Sequence, residues 1–365
     1  MRSKFIVNLL PIKTGGGMQN ALSFICSTDE KILCIVRKGT LLHKKCIELE
    51  VEHIAIRDRL IDRLLFEVRS RFIFKKGTVC FTYFGPPLLG SIGHLYNING
   101  FAYSNLLHPE IDFWQDCDLF NKIKRKAIDL YRLVLASCCD ELIFETELLK
   151  ERADKAIYFK NVKRKHCVKM SPTMFLGNNT SSDNIELKND AIKILFLCGA
   201  QRNKRIELSV ELLKYLISID VNPQLVLTLP KDPYTDEIFQ LLEDNNLLDY
   251  VVNLGPINQD QVGSLLDKID VIVNFSRLES FSNNFTEAWV KNKLLLVSDS
   301  EWARRSCNDA AMYIDFSNRS TLKQLDVIFN SPTLWHEQVQ RGARILKSFP
   351  SLKEKNAQYM NIIKG

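Results

Sequence analysis

The stretch SRLESFSNNFTEAW, residues 276–289, places Glu279 and Glu287 eight positions apart across a run of small polar residues. Carboxylates at such a place accept hydrogen bonds from ligand hydroxyls. Glu279 stands three residues beyond the apolar run VIVNFS (271–276), in the loop at that strand's carboxyl end, the side on which open parallel sheets bind ligands. Asn284 is predicted as the N-cap of the following helix, with Phe285, Thr286 and Glu287 as its first three residues. The free N–H groups of residues 282–285 would then suit a diphosphate. Phe281, Ser282, Asn283 and Asn284 are therefore candidate ligand neighbours together with the two glutamates. A purely structural reading stays open for Glu287, because an N-cap followed three residues later by Glu is also a capping box. Glu279 caps nothing obvious, although a solvated surface group would read the same way.

Two further loops carry suitable chemistry. GAQRNKR (199–205) sets Arg202, Lys204 and Arg205 between a strand and a helix, where cations would meet phosphates, or where a basic loop is simply solvated. PIKTGGGMQNAL (11–22) has three consecutive glycines between strand and helix, so that backbone at Gly16 and Gly17 approaches a ligand closely or merely turns. It is neither GxGxxG nor GxxxxGK[ST]. Asn105 and His108, in SNLLHPE, are polar residues beyond another strand, and a lone histidine there is most commonly structural.

The elements that position these residues follow from the apolar pattern. KFIVNLL (4–10), ILCIV (32–36), HIAI (53–56), TVCFTYFG (78–85), NGFAYS (99–104) and ELIFE (141–145) read as strands. A long arginine-bearing helix surrounds DRLIDRLLFEVRSRF, and 117–137 shows helical periodicity through Leu119, Phe120, Ile123, Ala127, Tyr131 and Val134. The Ser/Thr/Asn-rich SPTMFLGNNTSSDN (171–184) reads as a linker. The pattern restarts with IKILFLCG (192–199), QLVLTL (224–229), YVVNLG (250–255), VIVNFS, LLLVSD (294–299) and MYIDF (312–316). Alternating strands and helices predict an α/β fold with parallel sheets in two halves. The expected division is 1–172, a linker over 173–192, 193–348, and a terminal helix over 349–365.

With 365 residues, 46% hydrophobic and 25% charged, the chain supports two globular cores and is not disordered. No apolar run is long enough to cross a membrane, and FIVNLL reads as a first strand, not as a signal peptide. Ten scattered cysteines form no CxxC and no zinc spacing, so reduced thiols in a cytoplasmic protein and no metal are expected. The net charge of +6 is uneven: residues 1–170 hold 28 Lys and Arg against 19 Asp and Glu. KIKRK (122–126) and NVKRKHCVK (161–169) concentrate it, and Lys122, Arg125 and Arg132 lie off the apolar stripe of their helix. The imbalance suggests an anionic partner for this half, an anionic membrane surface among them, against the commoner reading of a solvated helix face. Nucleic acid is disfavoured, since no aromatic platform is interleaved with the cations.

The segments resemble retaining glycosyltransferases of family 4 (glycosyl transferases group 1), which have the GT-B fold of two facing Rossmann-like domains around a cleft. Glu279-x7-Glu287, within ESFSNNFTE, matches that family's E-x7-E motif, with Ser282 where glycine is usual. LGPINQDQVGSLLDKIDVIVNFS, the GGG turn and the RNK loop fall where the family has similar segments, and YFGPP (83–87) with FAYSNLLHPEIDFW (101–114) resembles the branch that builds bacterial O-antigen and surface polysaccharide. The resemblance implies a metal-independent hexosyltransferase that needs no cofactor and moves a sugar from a nucleotide-sugar to a glycan on polyprenyl diphosphate, at the inner face of the cytoplasmic membrane. It implies catalytic roles for Glu279, Lys204, Arg202 and His108, with Glu279 on the sugar, Glu287 on the ribose, and Arg202 and Lys204 on the diphosphate. Gly16, Gly17, Phe281, Ser282, Asn283 and Asn284 would complete the donor site, and Asn105 and His108 would meet the acceptor. A nucleotide-sugar epimerase of the same fold and a non-catalytic glycan- or nucleotide-binding relative remain the alternatives.

Overall fold

The computed structural model describes residues 5–13, 15–173 and 186–365. The chain divides into two units, Met1–Ser171 with Pro350–Gly365, and Pro172–Phe349. Most of the predicted linker, from residue 174 on, lies outside the described residues.

The first unit is a seven-stranded, all-parallel sheet: β1 (Phe5–Asn8), β2 (Ile32–Arg37), β3 (His53–Ile56), β4 (Val79–Thr82), β5 (Tyr96–Phe101), β6 (Glu141–Phe144) and β7 (Arg164–Cys167). Its order is β3-β2-β1-β4-β5-β6-β7. The helices α1 (Gly15–Ser27), α2 (Leu41–Glu48), α3 (Leu60–Ile73), α4 (Leu119–Ser137) and α5 (Glu147–Lys155) connect the strands. Helix α1 includes the three glycines in its first turn, so the helix begins four residues before Gln19. Gly85, at φ +137°, lies so close to Pro11 that a Cβ there would clash with the proline ring. Only glycine lets the loops after β1 and β4 meet in this way.

The second unit repeats the design with six parallel strands: β8 (Ile192–Phe196), β9 (Pro223–Leu227), β10 (Val251–Asn253), β11 (Val271–Asn274), β12 (Leu294–Ser298) and β13 (Met312–Ile314). Their order is β10-β9-β8-β11-β12-β13. Val271, Val273, Leu294 and Leu296 are fully buried, as expected of strands covered by helices on both faces. The helices are α6 (Leu208–Ser218), α7 (Pro233–Asp244), α8 (Gln259–Asp267), α9 (Asn283–Val290), α10 (Glu301–Cys307), α11 (Arg319–Phe329) and α12 (Pro332–Leu346). A last helix, α13 (Leu352–Lys364), belongs to the first unit, where its Lys355 Nζ donates to Asn20 Oδ1 of α1 at 2.9 Å.

In both units the strand order reverses beside the first strand, between β1 and β4 and between β8 and β11. Such a switch point splays the two following loops apart and opens a crevice at the carboxyl ends of the strands. The loop after β11 carries Glu279, and the loop after β8 carries Lys204.

Candidate active site

The second unit brings those two loops together. The Arg277 N–H donates to the Asn203 carbonyl at 2.7 Å, and the Asn284 side chain donates to the Leu197 carbonyl just past β8 at 3.1 Å. A single 3-10 turn, Arg202–Lys204, ends with Arg205 at φ 55° and turns the Lys204 side chain onto Glu279.

Three donors converge on Glu279 Oε1: Lys204 Nζ at 2.9 Å, Asn274 Nδ2 at 2.9 Å and Ser276 Oγ at 2.6 Å. Among the described residues, every hydrogen bond to this carboxylate lands on that one oxygen. Burial pushes the carboxyl up, but Lys204, Ser276 and Asn274 together outweigh it and hold Glu279 below the usual carboxylate range. Burial likewise pulls the Lys204 ammonium down, and Glu279 with Cys198 more than restores it. The outcome is an ionised pair of opposite sign, mostly but not wholly shielded, with side-chain exposures of 20% and 15%.

Asn274 and Ser276 supply two of these three donors, and the sequence reading did not single them out. Their signal was present, as two polar residues ending the otherwise apolar run VIVNFS. Asn274 also donates to Ser282 Oγ at 2.7 Å, which ties the start of α9 to the same network.

Helix α9 starts one residue after Ser282, which is its N-cap in extended backbone, φ −106° and ψ 128°. This corrects the predicted cap at Asn284. A start at Asn283 lets Phe285, Ala288 and Trp289 reach the core together, and that burial decides the register. Glu287 thereby moves to the fifth helical position, too far along for a capping box. It is 1% exposed, and its Oε2 has no hydrogen-bond partner. Burial alone pushes its carboxyl up to about 7. A capping carboxylate accepts N–H bonds and is driven the opposite way. Glu287 is thus a buried acceptor without a donor, the arrangement expected where a ligand hydroxyl supplies one.

The remaining candidates are distributed differently. Arg202 makes a two-pronged bond to Glu237, at 2.6 and 2.7 Å, and lies over the Tyr234 ring, whereas Lys204 alone of the two reaches Glu279. Two residues of one 3-10 turn point in different directions because that turn advances about 120° per residue. Phe281 packs against Phe285 and Phe349 inside the second unit. Asn283 opens α9, and Asn284 is used in the bond to Leu197.

In the first unit, Gly16 and Gly17 lie in the opening turn of α1 beyond β1. The Gly16 carbonyl accepts from Asn20 at 3.0 Å. Asn105 donates to Asp129 Oδ2 at 2.7 Å, which couples it to α4. His108 is buried, with Nδ1 3.0 Å from Glu110 Oε1, and Arg152 approaches the same oxygen at 2.9 Å.

No family profile matches the sequence, and no curated protein matches it in sequence. Solved structures match throughout. Anabaena HepE, in complex with UDP and glucose, aligns at TM-score 0.72 and 11% identity over 100% of both chains. A glycosyltransferase from Rickettsia africae aligns at 0.71 and 13% identity, over 100% of this chain and 98% of that one. WaaG, a glycosyltransferase of lipopolysaccharide biosynthesis, aligns at 0.69 and 12% over 99% of this chain and 100% of that one. The chain has the GT-B fold of these enzymes.

Proposed function

We propose that this protein is a retaining glycosyltransferase that carries a sugar from a nucleotide-sugar to a glycan on polyprenyl diphosphate in bacterial O-antigen or surface-polysaccharide synthesis. The observation that carries the reading is the pairing of an ionised Glu279–Lys204 couple with a partnerless buried oxygen on Glu287, at the switch point of a sheet shared with glycosyltransferases.

Each role follows from local chemistry. Glu287 Oε2 accepts from a ribose hydroxyl, which supplies the missing donor. Glu279, anchored through Oε1, offers its other oxygen to hydroxyls of the transferred sugar. Lys204 and the N-terminus of α9 neutralise the diphosphate as it departs, without a metal. The anomeric C–O bond breaks, and its electron pair leaves with the diphosphate. The acceptor oxygen bonds to the anomeric carbon on the same face, and its proton passes to the departing phosphoryl oxygen. Most of the acceleration comes from positioning and charge stabilisation. Likeness to HepE makes uridine nucleotides the first donors to test, and likeness to WaaG favours an acceptor of the bacterial envelope. Work on such an acceptor places the protein at the inner face of the cytoplasmic membrane.

The test is a thermal-shift screen of nucleoside diphosphates and nucleotide-sugars on wild type and Glu287→Ala, followed by an assay for release of nucleoside diphosphate. A nucleotide that stabilises wild type but not the variant, and whose sugar ester is hydrolysed, supports transfer. Silence with every nucleotide refutes it. Conversion of the sugar with no release of nucleoside diphosphate shows an epimerase instead.

A further inference from the structure

Large apolar side chains stand exposed at 21 positions among the described residues, seven of them on α3 and six on α4. On α3, Phe66 and Ser70 face inward, and the Glu67 and Val68 carbonyls press against Gly90 so closely that a Cβ there would clash. Ile61, Leu64, Leu65, Val68 and Phe72 recur at three- and four-residue steps on the opposite side, and Phe72 is 83% exposed. On α4, Asp129, Leu135 and Ala136 face inward. Asp129 is fixed there by Asn105, Trp114 and Arg132, at 2.7, 2.6 and 3.2 Å. Phe120, Ile123, Leu130, Tyr131 and Val134 therefore project outward, and Phe120 is 76% exposed. The two helices cover the same face of the sheet, since α3 joins β3 to β4 and α4 joins β5 to β6 by right-handed crossovers that run the same way along the strand order, and Phe66 of α3 packs with Cys80 of β4 beside them.

Cations border both stripes. By helical position Arg69 and Arg71 flank that of α3, and Lys124 and Lys126 that of α4; all four are exposed. Residues 57–76 hold seven Lys and Arg against three acids, and residues 119–137 five against one. Neither helix is long and apolar enough to cross a bilayer. An apolar stripe edged by cations is the pattern of a helix lying in the interface of an anionic membrane. A second copy docking through the same face would bring like charges together, which disfavours self-association.

We infer that α3 and α4 form a membrane-insertion face, with their apolar stripes sunk among the acyl chains of an anionic bilayer and their bordering cations on the headgroups. Charge alone would only hold the protein near the surface. The stripes add immersion, so binding survives salt that screens the cations. The inference rests on the proposed reaction only for its purpose, and vesicle binding is read without sugar transfer.

The experiment is flotation of the full chain with phosphatidylcholine vesicles, with and without phosphatidylglycerol, at low and high salt. Wild type should float with the anionic vesicles and retain part of that binding at high salt. Leu64→Ser/Phe72→Ser/Phe120→Ser/Ile123→Ser should bind about tenfold more weakly and lose the salt-resistant part. Lys124→Glu/Lys126→Glu should lose about tenfold of the preference for anionic lipid. The nucleotide response of both variants, which lie outside the second unit, should stay as in wild type. The inference is overturned if wild type stays with the soluble fraction, or if the serine variant floats as wild type does. It is also overturned if wild type is a dimer that the serine substitutions dissociate while vesicles capture neither.

Discussion

Glu287→Gln separates a ligand-binding carboxylate from a structural one through pH alone. The wild-type carboxyl titrates near 7 in the folded chain against an ordinary value of 4.5. Below that ordinary value it is protonated in both folded and unfolded states, and burial costs nothing. As pH rises from there the unfolded chain ionises first, and stability falls until the folded carboxyl also ionises near 7. At about 1.4 kcal/mol for each pH unit separating the two values, wild type loses about 3 kcal/mol across that window. Glutamine does not ionise, so the variant lacks this slope. Its amide N–H groups add a cost of about 1–3 kcal/mol where they find no acceptor, but that cost does not vary with pH. The quantity to measure is therefore the melting temperature of the variant minus that of wild type, at a series of pH values from about 4.5 to about 8 without nucleotide. It should climb by roughly 6–12 °C in a folded unit of this size. In wild type, a ribose hydroxyl on Oε2 favours the ionised form, so nucleotide affinity should rise with pH through the same window. A difference in melting temperature that is flat with pH would refute the reasoning, because Glu287 would then be ionised and partnered in the folded state.

Two further outcomes test the other half of the site. Lys204→Met should destabilise the second unit by about 3–5 kcal/mol, since it leaves a buried Glu279 carboxylate uncompensated. Adding Glu279→Gln should return most of that in urea denaturation, and strict additivity would show that the pair is not coupled. The pair's contribution should persist above the ordinary carboxylate range and fade only as acid protonates Glu279 through its depressed value. Arg202→Ala and Glu237→Gln should each change stability by less than about 1 kcal/mol, because both side chains are half-exposed. Their effects on nucleotide affinity, read by calorimetry, should be opposite: about tenfold weaker for Arg202→Ala and tighter for Glu237→Gln, which releases the guanidinium toward phosphate. Equal, small effects would remove Arg202 from the donor site.

How much of this was legible in the sequence depended on burial. Strands covered on both faces read as unbroken apolar runs, so VIVNFS, LLLVSD and IKILFLCG start with β11, β12 and β8 and overshoot their ends by one to three residues. β5 was placed late because its own sequence, YNINGF, has two asparagines and a glycine among its apolar residues. β7 is RKHC, a partly exposed edge strand with no apolar run to find. The same limit governed the site. Glu279 and Lys204 stand out in the sequence because loop positions at strand ends are conspicuous, whereas their pairing is visible only in the structure. The Arg202–Glu237 pair joins residues 35 apart in sequence, and nothing local announces it. The cap of α9 was misplaced because two asparagines follow a serine, and only the depth of Phe285 and Trp289 chooses among them.

Helix α4 shows the limit most sharply. Periodicity revealed a stripe through Phe120, Ile123, Ala127, Tyr131 and Val134, but a period has no sign: it does not say whether the stripe faces the core or the solvent. The sign is set across the helix by Asp129, the one acid among five cations, which is buried and accepts from an amide, an indole and a guanidinium. A buried carboxylate without donors is costly, so the inward face of α4 is the one on which Asn105, Trp114 and Arg132 can supply them, and the apolar stripe is left outward, where a bilayer would cover it. Asp129 therefore fixes which face is inside. Asp129→Ala should free α4 to roll, and anionic-vesicle binding by the wild-type stripe should fall with it.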